Sequence, residues 1–124
     1  IINEINKKEE KKEFILKEDK GDEFLNIVSS YLKNRKIQTT ELIPIKKGRE
    51  SEGKIKINSD LGTLDFLVIA KNKKTINEAD ISLANDHGKR CKLPVLFLSN
   101  GKMTKKCNKH LEENLKGRVI FMNI

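Results

Sequence analysis

Residues Ser51–Lys71 read SEGKIKINSDLGTLDFLVIAK. The stretch predicts two strands joined by a tight turn at Asp60-Leu61-Gly62-Thr63, with Gly62 supplying the turn chemistry. Pairing Asp60 with Thr63 sets Phe66 across from Ile57 and Val68 across from Ile55. Ile55, Ile57, Leu64, Phe66 and Val68 then share one apolar face, as a consistent register requires. The opposite face carries Glu52, Lys54, Lys56 and Asn58 on one strand and Asp65, Leu67, Ile69 and Lys71 on the other. The same register places Glu52 directly across from Lys71. A carboxylate and a lysine directly opposed on adjacent strands can pair as ions.

Before the hairpin, Asp22–Lys36 predicts a helix. Phe24, Ile27, Val28, Tyr31 and Leu32 form a single stripe at helical spacing, and Asp22 is placed to cap it. Ile37–Ile45 reads as extended, and Pro44 keeps it out of a sheet centre. Lys46–Glu50 is a polar loop containing Gly48. Residues 1–20 alternate lysine and glutamate, with apolar residues only near the two ends. They read as a charged linker or frayed helix ahead of a domain spanning residues 21–124.

After the hairpin, Thr75-Ile76-Asn77-Glu78 has the form of a capping box with Thr75 as N-cap. The helix it opens runs to about Gly88, with Ile81 and Ala84 inward. Pro94 precedes a continuous apolar run, Val95–Leu98, the pattern of a parallel strand covered on both faces. Thr104 caps a last helix carrying Cys107, Leu111 and Leu115. Gly117 lies past its end, and Arg118–Met122 is the final strand. The order is helix, strand, strand, helix, strand, helix, strand. It predicts an α/β domain, an antiparallel hairpin feeding two crossover units in a mixed sheet with helices on both faces.

The chain of 124 residues suffices for one core. Aromatic residues make up only 5% and charged residues 35%, so that core must be aliphatic. The formal net charge is +8. Six lysines and six acids cancel within residues 1–20, so the whole excess lies in residues 21–124. Such a surplus favours a polyanionic partner. No apolar run approaches the ~20 residues of a membrane span, and no secretory signal is present. Cys91 and Cys107, on different helices and without close ligand partners, read as buried free thiols of an intracellular protein. A chain that opens on Ile1 rather than Met reads as a piece of a longer protein.

Three cationic clusters sit at element ends: Lys71/Lys73/Lys74, Lys89/Arg90/Lys92 and Lys102/Lys105/Lys106. The last opens a helix whose free N–H groups also suit a phosphate. With Lys54 and Lys56 on the hairpin, they are the candidate nucleic-acid contacts. His87 and His110 stand apart, each among lysines and without a nearby nucleophile, and read as surface or packing residues.

The element order and several strings resemble the Mrr-type branch of the restriction-endonuclease-like, or PD-(D/E)xK, superfamily. The strings are Glu52-Gly53-Lys54-Ile55-Lys56-Ile57, Ile69-Ala70-Lys71 and PVLFLSNGKMTKKCNKHLEEN over Pro94–Asn114. The resemblance covers residues 22–124. It implies a restriction-endonuclease-like mixed sheet and, in an active member, magnesium held by acids on the two hairpin strands, with the lysine activating water. Here Glu52 stands at the first acid position, and Ile69, which cannot bind metal, at the second. Lys56 replaces a further Asp, and Leu25 falls where a helix Glu is expected. The expectation is therefore a nucleic-acid-binding accessory domain without catalysis, with DNA ahead of RNA and other domains of a longer parent protein as partners. Glu52 and Lys71 would be the remnant of the active site. Two alternatives stand beside it. One is an active magnesium-dependent endonuclease with a rearranged site, Glu52 being the metal ligand. The other is a protein-interaction scaffold.

Overall fold

A computed structural model describes residues 22–124; the linker expected over residues 1–20 lies outside them. Helix α1 (Glu23–Asn34) is followed by β1 (Gln38–Lys46), β2 (Glu50–Ser59), β3 (Gly62–Lys71) and β4 (Thr75–Ile76). Then come α2 (Glu78–Cys91), β5 (Val95–Ser99), β6 (Lys102–Met103), α3 (Lys105–Asn114) and β7 (Val119–Asn123). The main sheet has the order β1-β2-β3-β5-β7; β4 and β6 form a small second sheet. Strands β1, β2 and β3 are antiparallel neighbours, and β5 and β7 continue parallel to β3. This is the mixed sheet that the hairpin and two crossovers predict.

Two apolar layers sandwich the sheet. Phe24, Leu25, Val28 and Leu32 of α1 pack with Ile55, Phe66, Val68, Ala70, Leu96 and Leu98 on one face. On the other, Ile81 and Ala84 of α2 and Cys107 of α3 pack with Leu67, Ile69, Val95 and Phe97. Asp22 caps α1 as expected, its Oδ1 accepting the Leu25 N–H at 2.9 Å. The buried stripe differs by one position. Leu25 is buried and Ile27 is 51% exposed, so the face that α1 buries is centred on Phe24, Leu25, Val28 and Leu32. Cys107 is buried as expected, but Cys91 ends α2 on the outside and is exposed.

The hairpin register also differs. Asp60 and Leu61 alone form the loop, and Ser59 pairs with Gly62. Side-chain bonds fix this choice. The Ser59 hydroxyl accepts the Leu61 N–H at 3.2 Å and donates to the Gly62 carbonyl at 2.8 Å. Thr63 donates to the Asn58 side chain at 3.1 Å. Gly62, at φ +123°, takes a conformation that side chains avoid. Relative to the expected pairing, every partner moves by two residues. A two-residue slip leaves each side chain on its original face, so hydrophobic patterning cannot tell the registers apart.

The cap of α2 is a second correction. Asn77, not Thr75, is the N-cap, in a reciprocal capping box with Asp80. Thr75 and Ile76 instead pair in parallel with Lys102 and Met103.

Candidate functional site

The observed register sets Glu50, rather than Glu52, across from Lys71; Glu52 lies across from Ile69. The expected Glu52–Lys71 pair is therefore replaced by two separate contacts. Lys71 Nζ lies 3.4 Å from Glu50 Oε1 and 3.6 Å from Asp80 Oδ1. Asp80 also accepts from Lys73 Nζ at 2.8 and 2.9 Å and from the Asn77 N–H at 3.0 Å. Burial pushes the Asp80 carboxyl up. The Lys73 and Asn77 hydrogen bonds and the charges of Lys73 and Lys71 outweigh it and hold the carboxyl below its ordinary value.

Glu52 is engaged from α2. Its Oε1 contacts His87 Nε2, and Arg90 Nη2 stands 3.3 Å from His87 Nδ1. A guanidinium only donates, so Nδ1 is the acceptor in that contact. Glu50, Glu52, Ile69, Lys71, His87 and Arg90 line one cleft.

Magnesium needs several oxygen ligands in near-octahedral array. Ile69 supplies none where the resemblance expects an acid. Glu52 is held by His87, and Glu50 and Asp80 by lysines. Among the described residues no group of three or more His, Cys, Asp or Glu is placed to hold a metal ion. The donor set does not fit magnesium. Leu25, at the expected helix acid, is a core residue.

The fold brings two of the three cationic clusters together. Lys102 N donates to the Lys74 carbonyl at 3.1 Å, and Thr104 N donates to Ile76 at 3.0 Å. Lys74, Lys102, Lys105 and Lys106 thus gather where β4 and β6 pair and α3 begins. Gly101 makes this possible: a Cβ there would collide with the Lys73 carbonyl. Lys73 belongs to the same cluster, but its charge is already engaged by Asp80. Lys89 and Arg90 occupy the last turn of α2. Lys54 borders a neighbouring groove with His87 and Cys91, and Lys56 lies across from Asp65.

Asp80 and His87 are the residues the sequence reading missed. Asp80 had a signal, since Asn77-x-x-Asp80 is itself a capping pattern. His87 had none, because it meets Glu52 across 35 residues of chain.

No protein-family model matches the sequence, and no curated protein matches it significantly. Solved structures do resemble it. The MspJI restriction endonuclease in complex with a 27-mer oligonucleotide matches at TM-score 0.54 and 9% identity, over 80% of this chain and 24% of that one. The DNA modification-dependent restriction endonuclease AspBHI matches at TM-score 0.50 and 14% identity, over 69% and 23%. EndoMS in its apo form matches at TM-score 0.50 and 12% identity, over 86% and 47%. The chain spans from about a quarter to about half of the length of these proteins. Its fold is restriction-endonuclease-like. No described helix is long and apolar enough to cross a membrane.

Proposed function

We propose that residues 21–124 form a nucleic-acid-binding accessory domain of a longer protein, derived from an Mrr-type nuclease, that holds DNA ahead of RNA through phosphate contacts and does not cleave it. The observation that carries binding is the meeting of Lys74, Lys102, Lys105 and Lys106 at the junction of β4, β6 and α3. The oligonucleotide bound by MspJI and the DNA modification dependence of AspBHI favour DNA as the partner. Ile69 opposite Glu52, with every nearby carboxylate paired, argues against a held metal and hence against hydrolysis.

Fluorescence anisotropy with single- and double-stranded DNA and RNA at two salt concentrations tests binding. Affinity should fall by about one log unit per log unit of salt for each phosphate contact. Charge reversal at Lys74, Lys102 and Lys105 should weaken it. No binding at low salt would favour the protein-interaction scaffold. Incubation with plasmid and magnesium or manganese tests catalysis, and no cleavage is expected. The active-nuclease reading now centres on Glu50, because Glu50 is the acid beside Lys71. Metal-dependent cleavage lost in Glu50→Ala/Lys71→Ala would establish that reading.

A further inference from the structure

We infer that the basic turn between β1 and β2, Lys46–Arg49, is a prebuilt wall that grips the nucleic-acid backbone beside the Lys71–Asp80 cleft. The inference rests on the nucleic-acid reading and assigns it a surface outside the three cationic clusters.

The turn carries Lys46, Lys47 and Arg49, all exposed. Among the described residues no ion pair engages them, whereas Lys71 and Lys73 are held by carboxylates. The turn is fixed rather than free. Arg49 N donates to the Lys46 carbonyl at 2.9 Å, and Gly48 takes φ +74°, which a side chain would strain. Asn72, just past β3, donates its N–H to the Arg49 carbonyl at 2.7 Å and its amide to the Gly48 carbonyl at 2.8 Å. Asn100, just past β5, donates to Asn72 Oδ1 at 2.7 Å. Two side-chain amides therefore tie the turn to the carboxyl ends of two parallel strands. Ordering a cationic loop before binding removes part of the entropic cost of association.

The tied turn borders a cleft of about 550 Å³, larger than one phosphate group fills. Lys46, Arg49, Lys71 and Lys73 line it against two carboxylates, Glu50 and Asp80. Lys46 and Arg49 share this lining with Lys73, whose neighbour Lys74 adjoins Lys102. Two cations outside any ion pair along an open cleft suit a chain of regularly spaced phosphates. Every residue that lines it apart from Gly48 has a charged or amide side chain. A protein partner would be expected to seat an apolar or aromatic anchor, and none is offered here.

The test is anisotropy of a labelled DNA duplex with the full chain and three variants. Lys46→Ser/Lys47→Ser/Arg49→Ser should lose about tenfold or more in affinity, and its salt slope should drop by about two to three. Asn72→Ala keeps every charge yet should lose severalfold, with a smaller salt slope and a cooperative unfolding transition retained. Lys33→Ser/Lys109→Ser/Lys116→Ser removes the same charge elsewhere and should leave the slope as it was. If the triple turn variant folds poorly, Arg49→Ser alone should still lower the slope by about one. Equal losses in the turn and control variants would overturn the inference, as would an Asn72→Ala protein that binds like wild type. A wild-type protein that binds no nucleic acid would instead remove the reading beneath it. Competition by polyglutamate as effective as by unlabelled DNA would also count against it.

Discussion

The two ends of the β2–β3 hairpin have opposite surroundings. At the open end, Phe66–Ala70 are buried five in succession, since β3 lies between β2 and β5 and helices cover both of its faces. At the turn end the strands run past the helices: Leu61 is fully exposed and Leu64 is 52% exposed. Alternation in sequence thus marks a face, but only neighbouring elements decide whether that face is buried. The open end is held by packing and by the Glu50–Lys71–Asp80 network, the turn end by local hydrogen bonds of Ser59 and Thr63.

Truncating a leucine at each end gives the sharpest contrast. Leu67→Ala should cost about 2–5 kcal/mol in urea unfolding, because it empties space in a filled layer. Leu64→Ala should stay within about 0.5 kcal/mol. Equal effects would mean that the turn end is covered in solution. Next in size is Asp80→Ala, expected to cost about 1–3 kcal/mol, since it removes half of a capping box, leaves Lys73 without its carboxylate and leaves Lys71 with Glu50 alone.

The same residue predicts a pH dependence. Its folded-state value lies below the ordinary 3.8. Its contribution is therefore fully present above 3.8 and is lost as pH falls through the lower folded value. Asp80→Asn should flatten the acid limb of the stability–pH curve, and an unchanged limb would show that the lysines do not stabilise the carboxylate. At the turn, Ser59→Ala should cost about 0.5–1 kcal/mol, the net worth of its exposed hydrogen bonds. Leu61→Ser should be the smallest change, within about 0.5 kcal/mol by thermal melting.

The hairpin, the two parallel strands that follow it and the caps Asp22 and Thr104 were legible in the sequence because each rests on local chemistry or strict periodicity; β1 was read only as an extended segment kept from the sheet centre by Pro44, and the two-residue strands β4 and β6 were not read at all. The hairpin register was not, since a two-residue slip preserves every face, and the Ser59 hydroxyl makes the choice. That slip carried the site with it: Glu50 stood two residues from the expected partner of Lys71. Asp80 was readable as a cap but not as the shared partner of two lysines, a role that needs the β3–α2 connection in three dimensions. Ile69 shares a buried layer with Ile81 and Ala84 of α2 and Cys107 of α3, which is why an apolar residue is at home at that position.

The opposite fates of the two cysteines make the chain a reporter of its own unfolding. Cys91 is exposed at the end of α2, whereas Cys107 lies fully enclosed in α3. Burial raises the Cys107 thiol, and the charges of Asp80 and Glu78 add to the effect, so it presents neither access nor thiolate to an alkylating reagent. A maleimide dye should enter the native chain once, at Cys91, with no engineered residue. A second adduct, counted by mass, then records each molecule whose α3 has opened.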